Sequence, residues 1–164
     1  MLSPAGGTPA NEDLAREAIG KLDLAQATAA GVAMLHALAK SSRRGKVGAA
    51  GFCWGGAYVD RLAVAAGPSL AAGVSYYGPA PNPSEAVKVQ APLLLHYAGL
   101  DTRVAETAGP WVAALKAAHK KVEAFTYAGV DHAFNNDTSA ERYNKAAADL
   151  AWSRTLAFFK RYLR

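Results

Sequence analysis

The residue with the most pointed chemistry is the single cysteine, Cys53, in Gly51-Phe52-Cys53-Trp54-Gly55-Gly56. An apolar run, Lys46 to Phe52, precedes it and reads as a buried strand. Gly55-Gly56-Ala57-Tyr58-Val59 follows and reads as the start of a helix. A nucleophile on a sharp strand-to-helix turn needs small residues on either side, so that the two backbones can approach. Gly51 and Gly55 fill those places, and Gly56 extends the clearance. At a helix N-terminus the dipole favours a thiolate. The N–H of Trp54 can donate to an oxyanion. A buried, inert cysteine on a glycine-rich turn is the alternative; the strand–turn–helix setting favours chemistry.

A thiol nucleophile needs a base, and the base needs an orienting group. Of the four histidines, His36 falls inside a helix, His96 inside a strand and His119 at a basic helix end. His132 stands in a loop after the last predicted strand, where a base can reach over the sheet edge. For the acid, Asp101 directly follows the third predicted strand, at the kind of C-terminal strand end where catalytic groups gather in open α/β sheets. Asp131 and Asp137 compete by nearness to His132. Asp131 adjoins the histidine awkwardly, and Asp137 can instead cap a helix. The chain order Cys53, Asp101, His132 is that of α/β-hydrolase triads.

These residues need a scaffold. The 164 residues suit one domain, and a composition that is 51% hydrophobic and 19% charged is globular. Residues 1–10 read as a flexible lead-in and 11–164 as a single domain. Helices are predicted from Asn11 to about Ile19 and from a capping box at Asp23-x-x-Gln26 to about Lys40, the latter with a stripe of Leu24, Thr28, Gly31, Leu35 and Leu38. Strands are predicted at 46–52, 71–76, 91–97 and 122–127. Pro110 is expected to open one helix, and a second capping box, Thr138-x-x-Glu141, to start the last one. That last helix carries the stripe Ala148, Trp152, Leu156, Phe159 and Leu163. Alternating strands and helices mean an α/β fold with a parallel sheet of about four strands and flanking helices.

The net charge of +5 is scattered, with small clusters at Arg43-Arg44-Gly45-Lys46 and Lys120-Lys121. No basic stripe with interleaved aromatics suggests a nucleic-acid partner. No apolar run is long enough to cross a bilayer. One cysteine allows no internal disulfide, and no secretory signal is visible, so a cytoplasmic setting is expected. No metal-ligand spacing appears, and no cofactor is expected.

At this point the sequence resembles the dienelactone hydrolase (carboxymethylenebutenolidase) family. The resemblance is carried by Gly51-Phe52-Cys53-Trp54-Gly55-Gly56, Tyr76-Tyr77-Gly78, Pro92-Leu93-Leu94-Leu95 through Gly99-Leu100-Asp101, and Tyr127 through His132-Ala133-Phe134. From about residue 11 the chain looks like roughly the C-terminal two-thirds of that family, a truncated α/β-hydrolase fold. The resemblance implies hydrolysis of enol lactones or other small esters, with Cys53 as nucleophile, Asp101 as orienting acid and His132 as base. It places Tyr77 and Phe134 at the substrate, although Tyr77 reads equally well as a core tyrosine.

The family carries earlier strands, a helix, an oxyanion-hole loop, a glutamate and a substrate-binding arginine that no residue here can replace. Some members also carry an arginine soon after the His-x-Phe segment, where Asn135 and Asn136 stand here. Losing one oxyanion donor typically costs ~10²–10³ in kcat. The strand near Val47 is expected to expose an unpaired edge, which points to weak activity or to pairing with a second copy. Two other readings compete: a non-catalytic truncated relative acting as an interaction or structural module, and a cysteine enzyme of the DJ-1 or glutamine-amidotransferase type. Amidotransferases place a glutamate two residues after the histidine, where this chain has Phe134.

Overall fold

The computed structural model describes residues 6–41 and 45–164. The first five residues of the expected lead-in and Arg43-Arg44 of the basic cluster therefore lie outside the described residues. Residues 6–10 form turns and bends.

Among the described residues, helices α1 (Glu12–Gly20) and α2 (Leu24–Ser41) precede strand β1 (Gly48–Phe52) and helix α3 (Trp54–Ala65). Then come β2 (Ala72–Tyr76), β3 (Leu93–Ala98), α4 (Thr102–Ala117), β4 (Val122–Tyr127) and α5 (Lys145–Tyr162). The sheet runs β1-β2-β3-β4 and every pairing is parallel. This is the α/β architecture expected from the alternation of apolar runs and helical patterns.

Side chains alternate across the sheet with the period of two that a strand imposes. Leu93, Leu95 and Tyr97 face one core layer, with Val104, Trp111 and Leu115 of α4 and Leu62 of α3. Leu94 and Ala98 face the other, with Ala148, Ala151 and Phe158 of α5. Both faces of β2 and β3 are fully buried, so their sequences are mostly apolar, with Ser75 and His96 as the exceptions. β1 is different: Ala50 and Phe52 are exposed, which corrects its reading as a buried strand. It is an edge strand, and no other strand among the described residues covers its outer side.

His96 is a buried polar side chain of β3. Thr155 donates to the Ala151 carbonyl at 3.0 Å, and so accepts from the Tyr76 hydroxyl at 2.6 Å and from His96 Nε2 at 3.1 Å. Nδ1 of His96 is left to accept from Tyr127 at 2.9 Å, and Arg154 donates to that tyrosine at 3.1 Å. Burial, helped by Arg154, pushes His96 down to about 3. It is a neutral structural histidine, satisfied on both ring nitrogens.

Four element expectations need correction. α4 starts at Thr102 because Asp101 caps it, accepting the Val104 N–H at 3.1 Å, and Pro110 lies inside the helix. α5 starts at Lys145, capped by Asn144, and not at Thr138, whose N–H and hydroxyl both bond to Asn136 within a turn. The buried stripe of α5 is Ala148, Ala151, Thr155 and Phe158, while Trp152 and Leu156 are exposed. The α2 stripe is likewise part exposed, with Leu24 and Leu38 open to solvent.

Candidate active site

The turn at Cys53 is built by close packing. Its backbone sits at φ 54° and ψ −117°, a region costing a non-glycine residue about 1–3 kcal/mol and tolerated where the surroundings impose it. The Cys53 N–H donates to the Tyr76 carbonyl of β2 at 3.0 Å, and its carbonyl accepts from Ala57 at 3.1 Å. A Cβ on Gly51 would lie 2.0 Å from the Gly55 carbonyl oxygen. One on Gly56 would lie 2.6 Å from the Tyr76 oxygen, and one on Gly78 2.2 Å from the Ala57 nitrogen. Clearance is thus required at Gly51, Gly56 and Gly78. Gly55, expected to share it, has open space where its Cβ would be.

The turn leaves the sulfur exposed at the N-terminus of α3. His132 Nε2 lies 3.1 Å from Cys53 Sγ, and His132 Nδ1 lies 2.5 Å from Asp101 Oδ2. Three strand ends supply the three groups: β1 leads into Cys53, β3 into Asp101, and the loop after β4 carries His132. That loop is fastened to the β3 end by Gly99 N–H to Tyr127 O at 2.8 Å and Leu100 N–H to Val130 O at 3.0 Å. Asn144 N–H to Phe134 O, at 3.0 Å, closes its far side. Asp131 and Asp137, the competing acids, have no hydrogen bond to the His132 ring.

The electrostatics follow from the contacts. The Cys53 thiol is held below its ordinary value, first by the hydrogen bond with His132, against the opposing effect of burial. The charge of His132, the Trp54 N–H and the Arg103 guanidinium add to the lowering. His132 is pushed up, first by its bond with Cys53 and then, against desolvation, by Asp101. Each partner favours the other's charged form, so the arrangement promotes a thiolate–imidazolium pair. Sequence reasoning did not single out Arg103. It sits in the first turn of α4, two residues past Asp101, and nothing in the local spacing flags a lone arginine there.

Tyr77 and Phe134, expected at the substrate, are buried: 2% and 0% of their surfaces are exposed. The Tyr77 ring meets His132 edge-on at 5.0 Å, and Phe134 meets Tyr77 at 5.3 Å. They pack behind the His132 loop and offer no open face to a ligand. Tyr77, at φ 39°, is the second strained non-glycine residue of the site, and its N–H bonds to the His96 carbonyl at 2.7 Å. Trp54, the residue after Cys53, stacks its ring on Tyr58 at 5.3 Å. Both line a cleft of about 260 Å³ with Arg61, Pro79 and Leu24. Cys53, Asp101 and His132 line neither this cleft nor a depression of about 680 Å³ between α2 and α3.

Comparison with known proteins agrees with this architecture. A protein of Saccharolobus solfataricus named "Putative carboxymethylenebutenolidase" is 36% identical over 117 residues, covering 71% of this chain and 44% of that protein. One of the same name from Azospirillum brasilense is 42% identical over 94 residues, covering 56% of this chain and 40% of its own length. The chain thus spans less than half the length of these curated relatives. The crystal structure of a "Putative Dienelactone Hydrolase" from Klebsiella pneumoniae superposes with a TM-score of 0.80 at 30% identity. The match covers 94% of this chain and 68% of that one. The sequence model of the Dienelactone hydrolase family matches residues 5–163, nearly the whole length, and the chain belongs to that family.

Proposed function

We propose that this chain hydrolyses small carboxylic esters or lactones with Cys53 as nucleophile. The observation that carries this reading is the unbroken hydrogen-bond chain Cys53 Sγ–His132 Nε2 and His132 Nδ1–Asp101 Oδ2. In the resting site His132 holds the thiol proton and Asp101 fixes the ring so that Nε2 faces sulfur. The thiolate attacks the substrate carbonyl, and a C–S bond forms as the carbonyl π bond opens. Charge on the carbonyl oxygen is met by the Trp54 N–H at the head of α3. The tetrahedral adduct collapses, the C–O bond to the leaving alcohol breaks, and His132 returns the proton to that oxygen. Water then attacks the thioester as His132 accepts its proton, and the C–S bond breaks to release the acid and restore the thiolate–imidazolium pair.

Family membership, together with the chain, supports an ester or lactone as substrate. We further propose that the open edge of β1 is covered by a second copy of the chain. The test of the catalytic reading is Cys53→Ala against p-nitrophenyl acetate: turnover should fall to the uncatalysed rate, and retained turnover would overturn the assignment.

A further inference from the structure

Behind the turn, on the same helix as the sulfur, lies a carboxyl group that the proposed chemistry does not use. Asp60 follows Cys53 by seven residues, two helical turns and about 10 Å down α3. It is fully buried, and neither of its oxygens has a hydrogen-bond partner. Three buried donors surround it from three different elements: Ser75 Oγ of β2, Tyr97 Oη of β3 and Trp111 Nε1 of α4. None of the three has a hydrogen-bond partner either. No lysine, arginine or histidine among the described residues forms an ion pair with Asp60.

A buried carboxylate without a counter-charge is strongly disfavoured and takes up a proton instead. Burial pushes Asp60 up to about 7, against the opposing pull of Ser75 and Trp111. Those two donors lie near enough to be felt but outside hydrogen-bond geometry. We propose that Asp60 is a positioning residue: as a neutral carboxylic acid it seats α3 against β2, β3 and α4, and so holds Cys53 at the height of His132. The route from Asp60 to the sulfur is short. Gly56, between them on α3, approaches β2 so closely that a Cβ there would sit 2.9 Å from Ser75 Oγ. The next residue of β2, Tyr76, accepts the Cys53 N–H at 3.0 Å. Ionising Asp60 places a charge in this seam and works against the packing that fixes the turn.

The role rests on the proposed use of Cys53, but its test reads the cysteine and the carboxyl separately. Alkylation of Cys53 by iodoacetamide is followed from pH 6 to 8 in the wild type and in Asp60→Asn, a neutral isostere that keeps the seat at every pH. The wild-type rate relative to the variant should fall about tenfold across that interval, as the protonated fraction of Asp60 falls. A ratio that stays constant with pH overturns the proposal. Carboxyl-labelled aspartate followed by ¹³C NMR in the wild type keeps the idea falsifiable if the variant does not fold. One aspartate should titrate near pH 7, and an Asp60 signal already ionised at pH 6 would equally overturn it. Loss of p-nitrophenyl acetate turnover in Cys53→Ala is decided independently of both results.

Discussion

Cys53 Sγ and His132 Nε2 lie 3.1 Å apart although 79 residues separate them in the chain. The contact lowers the thiol and raises the imidazole, so between the lowered thiol value and the ordinary 9.0 the sulfur is thiolate only while His132 is present. The wild type should therefore be alkylated by iodoacetamide well below pH 8. His132→Ala should react on the order of tenfold or more slowly there, and the two rates should converge above pH 9. Equal rates at pH 7 would mean that the contact does not activate the sulfur.

Asp101 divides its oxygens between two tasks. Oδ1 caps α4 by accepting the Val104 N–H at 3.1 Å, and Oδ2 meets His132 at 2.5 Å. Asn also caps helices well, so Asp101→Asn should keep most of the stability while losing the charge behind the imidazole. Its esterase kcat should drop by roughly 10²–10⁴. Asp101→Ala should lose the cap as well, about 1 kcal/mol, or about 2–4 °C in a chain of this size. Thermal melts and p-nitrophenyl acetate kinetics on both variants separate the two tasks. An Asn variant as active as the wild type would deny Asp101 its proposed part.

The turn and its three chemical groups were legible in the sequence because each sits at a junction with a strong local signature. Phe52 ends an apolar run and Trp54 begins a helix, Asp101 closely follows a strand, and His132 stands in the loop after the last one. What failed were phases and starts decided by tertiary partners. Thr138-x-x-Glu141 has the spacing of a capping box, yet Asn136 takes the Thr138 N–H and Asn144 caps the helix six residues on. The α5 stripe was misphased because its inward face contains a polar residue, Thr155, which is buried to satisfy His96 and Tyr76. Asp60 was invisible for the same reason: a charged type in a helix reads as solvent-facing until the packing around it is known. Tyr77 and Phe134 belong to the right loops, but their burial depends on one another, which spacing does not encode.

Glycine clearance at the turn can be tested by contrast. A methyl on Gly51 would strike the Gly55 carbonyl, which is backbone and yields only if the turn opens, whereas a methyl on Gly55 meets nothing within 4 Å. Gly51→Ala should lose about 1–3 kcal/mol or more, while Gly55→Ala, inside α3, should be neutral or slightly stabilising. Urea titrations of the two variants give the comparison directly. Similar losses at both positions would mean that the turn is not packed in this way.

The outer edge of β1 sets the last expectation. β1 pairs with β2 alone, so one row of its backbone N–H and C=O groups has no strand beside it among the described residues. Ala50 and Phe52 are exposed on it. An apolar edge with no charge between Val47 and Cys53 is the kind that templates pairing with another chain. Two copies meeting edge to edge about a two-fold axis would run their β1 strands antiparallel and join two four-stranded sheets into one. The 164-residue chain should therefore sediment as more than a monomer at micromolar concentrations. Ala50→Lys, which places a charge on that edge, should shift it toward monomer. A wild type that sediments as a single monomer throughout would show that the edge needs no second copy, and a dimer indifferent to Ala50→Lys would place the contact elsewhere on the surface.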